Sequence, residues 1–376
     1  MRARALCERV LSAADVRVGG ERPWDIRVHD DRFYDRVVAD GTLGLGESYM
    51  DGWWDCDALD EMTARTLRAG GERAVSRNWR TALQALRSRL VNMQDRRRSR
   101  RVANRHYDID DRLYLSFLDP YDQYTCAYFQ GVPPGDLVGA QQAKMDLICR
   151  KLALRPTDRV LDIGCGWGGL ARWMAERHGC RVTGVNIARG QLDCARRRNG
   201  DPRVDFVAMD YRDLPAAMPA AFDKVVSVGM AEHVGRRNYR TYFRAVRSVL
   251  RPDGLFLLQT CAQDASRSAT DPWIDRYIFP GGEVPSPAQL SSGFDGLFVL
   301  EDWHAMGSHY DRTLMAWWRR FEDAWPAFRA QYGDRFRRMF RYYMLTCAGA
   351  FRARQMQLCQ AVLSPDGVPG GYAGVR

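Results

Sequence analysis

The run Val160-Leu161-Asp162-Ile163-Gly164-Cys165-Gly166-Trp167-Gly168-Gly169-Leu170 reads as a buried strand, a glycine turn and a helix that starts at once. Glycine lets the backbone turn sharply and approach a ligand closely, and a helix start offers unpaired N–H groups. That arrangement serves nucleotide-like ligands. Gly164, Gly166 and Gly169 satisfy the dinucleotide pattern G-x-G-x-x-G. A dinucleotide site also wants an acid about 20 residues further on, at the end of the next strand, for the ribose. Here the second strand, 181–187, ends in Val185-Asn186-Ile187 without a carboxylate. The acid stands instead at Asp162, ahead of the first glycine.

An acid on the strand side of the loop is typical of S-adenosylmethionine methyltransferases, which favours methyl transfer over hydride transfer. Several segments extend the pattern. They are Met209-Asp210-Tyr211-Arg212-Asp213-Leu214, Val228-Gly229-Met230-Ala231-Glu232-His233-Val234-Gly235, Asp271-Pro272-Trp273-Ile274, Tyr277-Ile278-Phe279-Pro280-Gly281-Gly282 and His309-Tyr310-Asp311 with Thr313-Leu314-Met315-Ala316-Trp317. Together they resemble the cyclopropane-fatty-acyl-phospholipid synthases, relatives of the mycolic acid cyclopropane synthases. The resemblance covers nearly the whole chain, from Gly44-Leu45-Gly46-Glu47-Ser48-Tyr49 near the start to Cys347-Ala348-Gly349-Ala350-Phe351-Arg352 near the end.

The resemblance implies a class I methyltransferase fold: a Rossmann-like, mostly parallel seven-stranded sheet with helices on both faces, plus a smaller, largely helical N-terminal domain. It implies S-adenosylmethionine held by Asp162, Gly164, Gly166, Asn186, Gln191, Asp210, Tyr211 and Arg212, with Tyr124 and Thr125 closing over it. The substrate it implies is an unsaturated phospholipid in the membrane surface, worked on by a homodimer at the inner face of the cytoplasmic membrane. Chemistry on such a lipid is demanding. The π electrons of an isolated cis double bond must attack a sulfonium methyl, leaving a cation on the chain. A proton must then leave the delivered methyl before the ring closes. In the family a bicarbonate ion takes that proton, bound by a cysteine amide, a glutamate, a histidine and a tyrosine. Carried over, these are Cys126, Glu232, Gln259 in place of the histidine, and Tyr310. Glutamine can donate and accept hydrogen bonds but cannot become positive, so this departure weakens the expected hold on bicarbonate. Aromatic faces stabilise a cation without bonding to it, which makes Tyr310, Trp317, Phe279 and Tyr277 candidates.

Composition agrees with a folded, lipid-directed enzyme. The 376 residues are 46% hydrophobic, enough for a full core and two domains. Ten dispersed cysteines without a Cys-x-x-Cys pair argue against a disulfide framework or a zinc site, and for a reducing cytoplasm. The net charge of +10 is carried by arginine, with Lys144, Lys151 and Lys224 the only lysines; GC-rich coding accounts for that ratio. Positive charge attracts anionic membranes and nucleic acid alike, but no nucleic-acid-binding motif is present, so no nucleic acid is expected.

The expected domains are 1–95, a basic linker over 96–105, and a catalytic domain over 106–376. Leu83, Leu86, Leu90 and Met93 recur at helical spacing ahead of Arg96, Arg97, Arg98, Arg100 and Arg101. That run reads either as a solvated linker or as a membrane-facing patch. Strands are expected at 160–163, 181–187, 204–209, 224–230 and 255–260, with helices starting near Gly169, Arg189 and Tyr239. Two alternatives to cyclopropanation stand beside it. One is a lipid C-methyltransferase giving a methyl-branched or methylene product; the other is a non-catalytic lipid-binding paralogue.

Overall fold

A computed structural model describes residues 2–71, 94, 96, 110–266 and 270–376. The helical pattern at 79–93 and the arginine run, apart from Arg96, lie outside the described residues. The chain forms two compact units, one of residues 1–92, 267–281 and 310–356, the other of 93–266, 282–309 and 357–376. Residues 267–281 and 310–356, which the sequence assigns to the domain after the 96–105 linker, pack with the N-terminal segment.

The second unit is built on strands β1 (Arg159–Ile163), β2 (Arg181–Asn186), β3 (Val204–Ala208), β4 (Phe222–Val228), β5 (Leu250–Gln263), β6 (Val299–Ala305) and β7 (Met356–Ser364). Their order across the sheet is β3-β2-β1-β4-β5-β7-β6. Strands β3, β2, β1, β4 and β5 run parallel, and β6 pairs antiparallel with β7. The parallel strands are apolar on both sides because both faces are covered. On one face Leu161, Ile163, Val225, Phe256 and Leu258 pack with Tyr242, Phe243 and Val246 of the helix Tyr239–Val249. On the other, Val160, Val226, Leu257 and Val362 pack with Met145, Ile148 and Cys149 of the helix Leu137–Lys151 and with Trp173 and Met174 of the helix Gly169–His178. The strand order reverses between β1 and β4, and in open parallel sheets ligands bind at the carboxyl ends beside such a reversal.

Each of the five strands expected in this region is present, and helices begin at Gly169, Arg189 and Tyr239. The largest difference is β5, which starts five residues earlier than expected and runs to Gln263. Gln259 aligns with Val228, the last residue of β4, so the end of β5 projects beyond its neighbour.

The first unit is largely helical, with helices at Arg2–Ala13, Arg32–Asp40, Thr42–Met50, Leu59–Arg68, Pro272–Tyr277 and Arg329–Arg352. The motifs at its two ends turn out to be packing devices. A Cβ on Gly46 would lie 2.4 Å from the Trp273 ring, and one on Gly349 would lie 2.4 Å from the Asp60 carbonyl. Arg338 stacks 4.1 Å over Tyr49, and the Tyr277 hydroxyl donates to Glu47 at 2.8 Å.

Candidate active site

Three glycines of the loop after β1 take the left-handed conformation that suits glycine: Gly164 (φ +83°), Gly166 (φ +56°) and Gly168 (φ +79°). Their reasons differ. A Cβ on Gly168 would strike Phe206 at 2.3 Å, and one on Gly169 would lie 1.6 Å from the Tyr121 carbonyl. Those two are glycine for packing. Gly166 has none of the described residues within 4 Å of where a Cβ would stand, and it is the one over which a ligand can pass. The loop is tied to β2 by the Gly164 N–H, which donates to the Val185 carbonyl at 2.8 Å.

Asp162 is 2% exposed, and its Oδ2 has no hydrogen-bond partner among the described residues. Burial pushes its carboxyl up to about 7, with Lys144 pulling the other way. At the end of β2, Asn186 donates to Gln191 at 2.8 Å and accepts from the Ala188 N–H at 3.2 Å. The pair is half-buried at the carboxyl end of β2. After β3, Asp210 caps the short turn Tyr211–Asp213 by accepting from the Arg212 N–H, and it binds the Arg212 guanidinium at 2.9 Å. Tyr211 differs from a ligand contact: its ring is in the core, 5.4 Å from Tyr242. Burial pushes its phenol up to about 12. Tyr124 and Thr125 are half-buried, with Thr125 Cγ2 packed 3.1 Å from where a Cβ on Gly229 would be, at the end of β4.

Glu232 follows β4 in a single turn, Ala231–His233. Its Oε1 accepts the Cys261 N–H at 2.6 Å, a bond made by the projecting end of β5. Oε2 is buried and unpartnered among the described residues, and burial raises the carboxyl above its usual range. A raised carboxyl holds a proton more readily, so Oε2 can donate to an anion as well as accept. His233 is exposed and does not stand in for the missing histidine. Cys126 is fully buried, its thiol donating to the Ala127 carbonyl at 3.3 Å. Gln259 is 1% exposed, and its Oε1 accepts from Gln360 Nε2 at 2.9 Å. Gln360, on β7, is fully buried and its own Oε1 lacks a partner among the described residues. Sequence reasoning did not find Gln360. Its signal is a glutamine amid the apolar strand residues Cys359, Ala361, Val362 and Leu363.

Cys126, Glu232, Gln259 and the cofactor candidates therefore all belong to the second unit. Tyr310, Trp317, Phe279 and Tyr277 belong to the first. There Tyr310 lies 4.7 Å from Phe351 and edge-on to Trp317 at 6.0 Å, and Phe279 lies edge-on to Tyr343.

The strand order, the glycine loop after β1 and an acid ahead of it define a class I S-adenosylmethionine-dependent methyltransferase. The chain belongs to the mycolic acid cyclopropane synthetase family, whose model matches residues 77–361. It is 47% identical over 371 residues to the cyclopropane-fatty-acyl-phospholipid synthase of Escherichia coli (strain K12), covering 99% of this chain and 95% of that one. It is 31% identical over 355 residues to the tuberculostearic acid methyltransferase UfaA1 of Mycobacterium tuberculosis (strain ATCC 25618 / H37Rv), covering 89% and 81%. Among solved structures, the cyclopropane synthase MmaA2 from Mycobacterium tuberculosis superposes with a TM-score of 0.64 at 27% identity, over 70% of this chain and 97% of that one. The mycolic acid cyclopropane synthase CmaA1 complexed with SAH and CTAB gives 0.64 at 26%, over 70% and 97%.

Proposed function

We propose that this enzyme adds the methylene equivalent of S-adenosylmethionine across the cis double bond of unsaturated phospholipid acyl chains, forming cyclopropane fatty acids. One observation carries the reading: the Glu232 carboxylate, anchored through Oε1 to the β5 backbone, keeps a buried Oε2 that is unpartnered among the described residues, beside the strand-order reversal. A merely structural glutamate would have both oxygens satisfied.

The residues fit the cofactor. Open space at Gly166 and the half-buried Asn186–Gln191 pair suit a ligand lying across the carboxyl ends of β1 and β2. When bound, S-adenosylmethionine supplies an electrophilic methyl on a positive sulfur. Asp162 supports the loop from below. Asp210 holds the Arg212 side chain aside, leaving the backbone after β3 to face the adenine. Tyr124 and Thr125 cover the site. Of the Asp210–Arg212 segment, the buried Tyr211 ring acts as the floor rather than as a contact.

The residues also fit an anion. A bicarbonate would be held by the Cys126 backbone, Glu232 and Gln259, and would supply a base. Because Gln360 occupies the acceptor oxygen of Gln259, the Gln259 amide N–H₂ is the end left for that anion. This replaces the cation a histidine can offer with a neutral donor of fixed orientation. Tyr310 takes its place in the set on the resemblance alone. No helix among the described residues is long and apolar enough to cross a membrane. Access to the lipid is by surface association, for which the basic run at 96–101 is the proposed contact. Each arginine near an anionic surface is worth roughly 1 kcal/mol, screened within about a Debye length. Liposome sedimentation tests this: binding should need anionic lipid and weaken with salt, and indifference to both assigns 96–101 to a solvated linker. For the reaction itself, the products formed on vesicles of a cis-unsaturated phospholipid decide between ring, branch and no activity.

A further inference from the structure

Of the chain's 56 basic residues only three are lysines, and two of them, Lys144 and Lys151, are completely buried. Burial sets these two lysines apart from the other basic residues that are described. A lysine ammonium is a compact charge whose pKa moves on burial, whereas a guanidinium is broader and stays charged. Lys151 has an evident structural partner in Asp302, at 3.0 Å. Lys144 has no such carboxylate bonded to it among the described residues. Its Nζ donates instead to Gln123 Oε1 and, at 2.9 Å, to Thr125 Oγ1.

Gln141, one turn earlier on the same helix, donates to the Thr125 carbonyl at 2.8 Å and to the Gln123 carbonyl at 3.2 Å. The helix Leu137–Lys151 thus grips residues 123–125 by side chain and backbone together. The gripped segment also presses on the glycine loop, since the Tyr121 carbonyl and Gln123 Nε2 crowd the position of a Cβ on Gly169. The charged and titratable groups that act on Lys144 are Asp119, the Cys126 thiol and Asp162. Asp162 is the acid ahead of the glycine loop, and its Oδ2 is unpartnered among the described residues.

We propose that Lys144 is a positioning residue of the cofactor site, its buried ammonium holding the Gln123–Cys126 segment in the conformation that closes over S-adenosylmethionine. The proposal rests on the reading of the Asp162–Gly169 loop as the cofactor site. Burial brings the Lys144 ammonium down to about 8, so the grip is pH-sensitive: it is intact below that value and slackens as the proton leaves above it.

The probe is S-adenosylhomocysteine, titrated calorimetrically from about pH 6.5 to about pH 9.5 into wild type, Lys144→Met and Gln123→Met. The amine of the ligand titrates in every case, and Asp162 is coupled to Lys144, so the difference between the wild-type and Lys144→Met profiles reports the Lys144–Asp162 pair. Wild type should lose affinity above about pH 8, on top of the slope that Lys144→Met shows. Lys144→Met should bind roughly tenfold more weakly at neutral pH, the size of a lost charge-assisted bond. A folded Lys144→Met with wild-type affinity and an unchanged profile overturns the proposal while leaving the cofactor site intact. If Lys144→Met does not fold, Gln123→Met decides. It deletes one acceptor of the ammonium, and a weakened affinity with a shifted profile supports the proposal, whereas wild-type behaviour overturns it. A wild type that binds no ligand at any pH brings down the cofactor reading and this inference together.

Discussion

Asp162→Asn should make the ligand-free protein relatively more stable as pH rises, while weakening cofactor binding. Asp162 is held at about 7 by burial, against 3.8 for the free side chain. The folded state therefore keeps a proton on Asp162 over a range where the unfolded chain has released it. Wild-type stability must fall as pH rises from about 4 to about 7, and is flat in this term above. Each unit is worth about 1.4 kcal/mol, so from about pH 5.5 to about pH 7.5 the wild type loses about 2 kcal/mol that the asparagine variant does not. Both pH values lie below about 8, where Lys144 of the wild type releases its proton. The assay is urea unfolding of both proteins at the two pH values, read as the change in their difference, which cancels the titrating groups that are not coupled to Asp162. A stability difference that stays constant across that range would refute the claim that Asp162 is a strained, buried acid kept for binding. The accompanying loss of S-adenosylhomocysteine affinity separates such a residue from a mere packing defect.

Four further outcomes follow from the site. Gly166→Val should bind S-adenosylmethionine much more weakly in calorimetry, because a β-branched residue at φ +56° carries strain of about 1–3 kcal/mol and fills the open face; unchanged affinity would reject the loop assignment. Glu232→Gln should reduce product formation by about 10²-fold or more, whereas Cys126→Ser, which keeps the backbone N–H, should be mild; near wild-type turnover in Glu232→Gln would contradict its role. Gln360→Leu leaves Gln259 Oε1 buried without its donor, a cost of about 1–3 kcal/mol, and should weaken bicarbonate affinity, so that more added bicarbonate is needed for full rate in degassed buffers. Gln259→His should instead raise rate or bicarbonate affinity about tenfold, and a wild type indifferent to bicarbonate beside a dependent histidine variant would sink the bicarbonate reading.

Much of the catalytic fold was legible because parallel strands are short apolar runs and glycine marks the turns between them and the helices. The β1–glycine–helix unit is local, spanning Arg159 to His178, so its signal lies in one stretch of sequence. Gln360 is the opposite case. It meets Gln259 only because β7 stands beside β5 in the sheet, 101 residues away in sequence, and no local pattern announces that pairing. Tyr211 is expected at the cofactor on the resemblance alone; its ring turns inward onto Tyr242 while Asp210 and Arg212 pair with each other, a burial that the sequence does not announce. Gly46 and Gly349 belong to segments that carried the resemblance; the structure gives them a packing role. Lys144 was visible as a rare residue type, but its meaning depended on burial, which a single lysine does not reveal.

The central claim is that this site converts a cis-alkene into a ring. The purified enzyme is incubated with S-adenosylmethionine and vesicles of a cis-monounsaturated, anionic phospholipid, and the recovered fatty acids are analysed by mass spectrometry and proton NMR. The account predicts a product heavier by one CH₂, with upfield cyclopropane protons and no vinyl signal, formed by wild type and not by Glu232→Gln. A product of the same added mass that carries a methylene or a methyl branch, or no added mass at all from a cofactor-binding protein, would contradict it.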